Sequence, residues 1–172
     1  MPQNRKRLIL AAVLSGVVFI GIALRCTRMD AAPMWLDEST TVLTMSNTNI
    51  RQTLPGLEKQ VVSPQSVQQL LVSGQTSIAM MLKNGALLNF GHLPLFYLVA
   101  VPWCKCFGVG LSALRWQANL FGILQTFLTA WLCLEIFGKS TAGIAMALSS
   151  LSPLFVLYSR EAREYSMWAC AV

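Results

Sequence analysis

Residues Leu8 to Leu24, LILAAVLSGVVFIGIAL, run for 17 positions without a charge and follow Asn4-Arg5-Lys6-Arg7. As a helix, a run of this length matches the hydrocarbon thickness of a bilayer, so it predicts a spanning segment. The basic residues before it hold its start on the cytoplasmic side. A cleaved signal peptide also begins basic and turns apolar, but its apolar core is roughly 7–15 residues long and ends in a small-x-small site. Here the longer run passes straight into Arg25 without such a site. Only 12% of the chain is charged and 55% is hydrophobic, against about a quarter charged in soluble domains. A multi-pass protein of the plasma (inner) membrane with a cytoplasmic N-terminus is therefore expected. The net charge of +6 is spread along the chain rather than gathered in a patch, which suits membrane loops and anionic head groups and argues against nucleic acid.

Beyond the first span the pattern changes. Residues 25–112 include polar stretches such as SNTNIRQTLPG and SPQSVQQLL, which could not cross a bilayer with their backbone groups unpaired. They read as one long external loop. Within it, TSIAMMLKNGALLNF (76–90) sets Ile78, Met81 and Leu82 at helical spacing with Lys83 and Asn84 to one side. That pattern suits a short helix lying in the membrane interface, or an ordinary packed loop helix. HLPLFYLVAVPWC (92–104) is apolar, shorter than a span and bracketed by Pro94 and Pro102, which favours a re-entrant or interfacial helix. Residues 113–137 and 141–158 then read as two further spans joined by Gly138-Lys139-Ser140, and residues 165–172 begin a fourth. The fold class is thus all-α transmembrane: about three complete spans, a large external loop with interfacial helices, and a truncated fourth span. The five cysteines form no CxxC pair, and Cys104-Lys105-Cys106 has no partner cluster of zinc-like spacing.

If 92–104 does not cross, the acidic doublet Asp37-Glu38 and the charged segment SREAREY (159–165) lie on one face of the membrane; if it does, they lie about 30 Å apart. The non-crossing path is preferred because it lets both clusters build one site. Adjacent carboxylates can divide labour, one accepting a proton from an incoming hydroxyl while the other orients it, or the two can hold a divalent cation. In the second cluster Arg160 and Glu164 are four apart and would pair in a helix. A guanidinium there suits a lipid phosphate at this depth, gripped by two hydrogen bonds. Arg115, beside Trp116 at the start of the second span, and His92, the only histidine, complete the candidates. Each has a plainer reading: Asp37 and Glu38 as a solvated loop pair, Arg115 and the 159–165 charges as helix-end anchors, and His92 as a hydrogen-bonding residue.

Taken in order, WLDE (35–38), HLPLFY (92–97), ALRWQANLFG (113–122) and LSPLFVLYSREAREYSMW (151–168) resemble the landmarks of the GT-C membrane glycosyltransferases, of the dolichyl-phosphate-mannose protein mannosyltransferase and aminoarabinose transferase type in their bacterial form. The likeness runs over nearly the whole chain. Leu93 stands where that family has the first proline of its His-Pro-Pro motif, and Arg160 where it has glutamine. The resemblance implies an N-terminal GT-C module and transfer of a sugar, with inversion, from a polyprenyl-phosphate donor to an external acceptor that is a lipid, glycan or protein. By position it implies Asp37 as base with Glu38 its partner, Arg115 and Arg163 as donor-phosphate contacts, and His92, Glu161 and Tyr165 shaping the site. No cofactor follows from it, apart from the divalent cation that Asp37 and Glu38 could hold. Because family members are much longer, a chain of this length is expected to be inactive alone. Two other readings stay open: a non-catalytic small membrane protein, as gene remnant or assembly partner, and a transporter subunit using Glu161 and Arg163.

Overall fold

A computed structural model describes residues 3–57, 62–72, 77–92 and 94–172. Every regular element among them is a helix: α1 (Gln3–Cys26), α2 (Leu36–Met45), α3 (Ile50–Leu57), α4 (Pro64–Val72), α5 (Ile78–Leu88), α6 (Leu95–Phe107), α7 (Leu111–Phe137), α8 (Lys139–Leu151), α9 (Pro153–Ser159) and α10 (Tyr165–Ala171). Two of these, α1 and α7, are long and apolar enough to cross a membrane, and α8 with α9 makes a third if the bent pair counts as one span. At about 1.5 Å per residue, the 24 residues of α1 and 27 of α7 exceed the bilayer core. The 13 residues of α6 fall short of it.

The chain divides into two compact units, Met1–Met29 with Ala118–Val172, and Asp30–Gln117. In the first, α1 packs on α8 and α9, α8 on α9, and α9 on α10. Small residues permit the close approaches. A Cβ on Gly21 would lie 2.6 Å from the Ser150 carbonyl oxygen, and one on Gly122 would overlap the Ser159 side chain.

The stretch expected as a span over 141–158 is not one straight helix: α8 ends at Leu151, α9 starts at Pro153, and their axes differ by 57°. Pro153 contributes to the break, since it has no N–H to give the Ser149 carbonyl and its ring crowds the preceding turn. Arg25, at the end of α1 and 1% exposed, takes up the freed acceptors. Its Nη1 donates to the Ser150 carbonyl at 2.5 Å and to Gly21 at 3.1 Å, and its Nη2 donates to the Ser149 carbonyl at 2.8 Å. A cation at the negative end of a helix dipole, bonded to carbonyls with no helical partner, is favourable twice over. Where water is scarce such carbonyls must be satisfied from within the protein.

In the second unit, α2 packs on α4 and α5, α3 on α5, and α5 on α6. Its core is apolar around Val42, Met45, Met81, Phe96 and Ala100, threaded by two buried asparagines. Asn84 Nδ2 donates to the Ser46 and Thr48 carbonyls at 3.2 and 3.0 Å, and its Oδ1 accepts from Ile50 N at 3.2 Å, which fixes the turn between α2 and α3. Asn89 Nδ2 donates to Thr44 Oγ1 and Tyr97 Oη, both at 2.9 Å, tying α2, α5 and α6. The helix expected over 76–90 is present as α5, capped by Ser77, whose hydroxyl accepts from Met80 N at 3.1 Å.

Candidate functional site

The acidic doublet lies in the first turn of α2, where carboxylates favour the helix dipole. Helical spacing separates its two members. Glu38 falls on the stripe it shares with Thr41, Val42 and Met45 and is buried, whereas Asp37, a third of a turn away, stays half-exposed. Buried Glu38 meets Arg115, near the start of α7, in a two-pronged ion pair: Nε to Oε1 at 2.8 Å and Nη2 to Oε2 at 2.6 Å. Both side chains are almost wholly shielded, at 1% and 3% exposure. Arg115 Nη1 also donates to the Ala32 carbonyl at 3.1 Å. One guanidinium therefore holds both the acidic helix and the strand of chain leading into it. Shielded from water, such a fork fixes geometry firmly. Ser112 donates to the Asp30 carboxylate at the other end of the same lead-in segment.

His92 lies exposed in the bend between α5 and α6, its backbone N donating to Asn89 O at 2.9 Å. It shares a pocket of about 230 Å³ with Met81, Leu82, Asn89, Phe90 and Tyr97. Nearby on α6 the Cys104 thiol is pushed up to about 11 by burial, while Cys106 is exposed.

In the other unit, residues 160–164 form an irregular bend between α9 and α10 rather than continuing a helix. The Arg160–Glu164 pairing expected of a helix is thus corrected: Arg160 Nη2 donates instead to the Arg28 carbonyl at 2.9 Å, and Arg28 holds a left-handed φ of 53°. Arg163 is buried, with Nη2 3.4 Å from Glu164 Oε1 and its guanidinium carbon 5.8 Å from the centre of the Tyr165 ring. Tyr165 meets Tyr158 edge to face at 4.9 Å. Both tyrosines, with Gln125, Leu154, Phe155, Ser166 and Ala169, line a pocket of about 260 Å³. Glu161 is half-buried, and its carbonyl accepts from Arg163 N at 2.7 Å.

Among the sequence candidates, Glu38 pairs directly with Arg115 and Arg163 meets Tyr165. Among the described residues no three His, Cys, Asp or Glu side chains gather as a metal site, and both Glu38 oxygens are engaged by Arg115. Arg25, Asn84 and Asn89 were not among the sequence candidates. Their partners are mostly backbone carbonyls, so the only available signal was a charge or amide interrupting an apolar helix.

No protein-family model, curated protein or solved structure matches the chain.

Proposed function

We propose that the chain carries the first module of a membrane glycosyltransferase that moves a sugar from a polyprenyl-phosphate donor to a hydroxyl acceptor. The observation that carries this reading is the buried Glu38–Arg115 fork with half-exposed Asp37 beside it. Such a fork keeps one carboxylate from moving while its half-exposed neighbour is the one assigned to the acceptor. In the proposed step the acceptor oxygen attacks the anomeric carbon from the face opposite the phosphate, and the bond from that carbon to the phosphate oxygen breaks. The hydroxyl proton passes to Asp37, and the departing polyprenyl phosphate keeps the electron pair. General-base assistance of this kind contributes about 10²–10⁴-fold.

Arg163, beside the Tyr158/Tyr165 pocket, is proposed to hold the charge that develops on the leaving phosphate. Arg115 is assigned the positioning of Glu38 and of the segment before α2, since three of its nitrogens are directed there. His92, Glu161 and Tyr165 are assigned site-shaping roles.

The test uses membranes containing the full gene product and a polyprenyl-phosphate sugar labelled in the sugar. The expected result is release of unlabelled polyprenyl phosphate together with a glycosylated product of inverted anomeric configuration. Membranes that bind the donor without releasing polyprenyl phosphate would replace this reading with the non-catalytic one.

A further inference from the structure

Helix α5 shows apolar residues on its outward face as well as on its inner one. A helix packed on a water-soluble domain buries its apolar stripe and shows polar residues outward. In α5 the buried face holds Asn84, with Asn89 just past the helix end, alongside Met81. The outward face shows Ile78 at 49%, Leu82 at 43% and Leu87 at 46% exposure, with exposed Ala79 and Ala86 between them and Phe90 beyond at 93%. Lys83 is the only charge on the helix. Exposed apolar side chains in a contiguous row mark a surface with a partner.

We infer that this face is seated on lipid, its apolar row in the outer acyl region of a bilayer carrying anionic head groups. Three observations favour a bilayer over other occupants. Buried amides facing an outward apolar row are the arrangement expected where the surroundings are less polar than the protein's own interior. In sequence, the Asp30–Gln117 unit follows α1 and runs into α7, both long enough to span a membrane. Residues 77–110 also carry two lysines, Lys83 and Lys105, both exposed, and no acidic residue. Each such lysine near an anionic surface adds favourable attraction, and its long stem lets the ammonium reach the head groups while the helix sits deeper. The pocket of about 230 Å³ lined by Leu82, Ala86, Phe90, His92 and Tyr97 opens within this face and provides a slot for part of an acyl chain. This inference does not depend on the sugar-transfer reading.

The experiment places the photoreactive residue p-benzoylphenylalanine at Leu82, Leu87 or Phe90, and at Gln65 on α4 as an exposed polar control. The full-length chain is used in vesicles of phosphatidylglycerol with phosphatidylcholine. On irradiation, the first three sites are expected to gain the mass of one phospholipid, and the control is not. Adducts should fall several-fold in phosphatidylcholine alone, and the Lys83→Glu/Lys105→Glu chain should lose that lipid preference. Cross-linked dimers instead of lipid adducts would assign the face to a second copy and overturn the inference. An adduct yield no higher than at Gln65 would overturn it as well, and equal yields in both vesicle types would overturn its anionic part. Nitroxide labels at Leu82 and Phe90, in a chain with its native cysteines replaced, give an independent reading: oxygen should collide with them more often than a water-soluble nickel complex does.

Discussion

Each unit buries an arginine at a helix terminus, and the two are neutralised differently. Arg115 meets a full negative charge on Glu38, whereas Arg25 meets only the carbonyl dipoles of Gly21, Ser149 and Ser150. A carboxylate and a guanidinium buried together depend on each other, because removing one strands the other's charge where water cannot reach it. Carbonyls at a broken helix end are neutral, so losing their cation leaves unmet hydrogen bonds but no stranded charge. Arg115 is therefore the more costly of the two to lose. It also stands beside a carboxylate that could do chemistry, while Arg25 maintains a bend.

Separating the charged pair should have the largest effect. Glu38→Ala and Arg115→Met are each expected to destabilise the protein by about 3–5 kcal/mol, read as unfolding midpoint in detergent. The double variant Glu38→Leu/Arg115→Met should recover most of that loss. A double variant as unstable as the sum of the singles would show that the fork is not a coupled unit.

Arg25→Met should cost less, about 1–3 kcal/mol, and should change the distance between spin labels at Leu148 on α8 and Leu157 on α9. Pro153→Ala alone should leave that distance nearly unchanged while Arg25 still occupies the Ser149 and Ser150 carbonyls. The opposite pattern would give the bend to proline alone.

Steric effects in the same unit come next. Gly122→Ala should cost about 1–3 kcal/mol by overpacking, since its new methyl would overlap Ser159, whereas Gly16→Ala meets nothing within 4 Å and should be neutral. Equal effects at the two glycines would remove the close approach from the account.

The smallest effect concerns Cys104. Its thiol is held up to about 11 in the folded protein by burial, above the ordinary value of 9.0. The neutral thiol is the favoured form, so this site's contribution to stability is complete below pH 9 and is lost as pH rises from about 9 towards 11. At pH 8 a maleimide should label exposed Cys106 and spare Cys104; rapid labelling of both in the folded protein would contradict the burial.

Much of the architecture was legible in the sequence, and the reasons differ by element. The charge-free run ending at Leu24 and the apolar stretch ending at Phe137 are long enough that hardly any fold but a spanning helix accommodates them, and α1 and α7 are there. Helix α5 appeared within two residues of its expected ends; of the apolar residues at helical spacing, Met81 is buried with Asn84, while Ile78 and Leu82 face out. The break at Ser152 was missed because Pro153 lies in an apolar run that otherwise reads as a span. Glu38 and Arg115 both drew attention from sequence, but their pairing spans 77 positions, and local spacing carries no signal for a contact that distant. Adjacency pointed to Asp37 as Glu38's partner, whereas helix geometry turns the two carboxylates to different sides.

In the proposed transfer, Asp37, beside the Glu38–Arg115 fork, takes the proton of the acceptor hydroxyl. The most direct test of this step is the rate of polyprenyl-phosphate release in membranes carrying Asp37→Asn, compared with wild type and with Asp30→Asn at equal protein levels. A loss of about 10²–10⁴-fold is expected for Asp37→Asn, with near wild-type release for Asp30→Asn. Wild-type release from Asp37→Asn would contradict it.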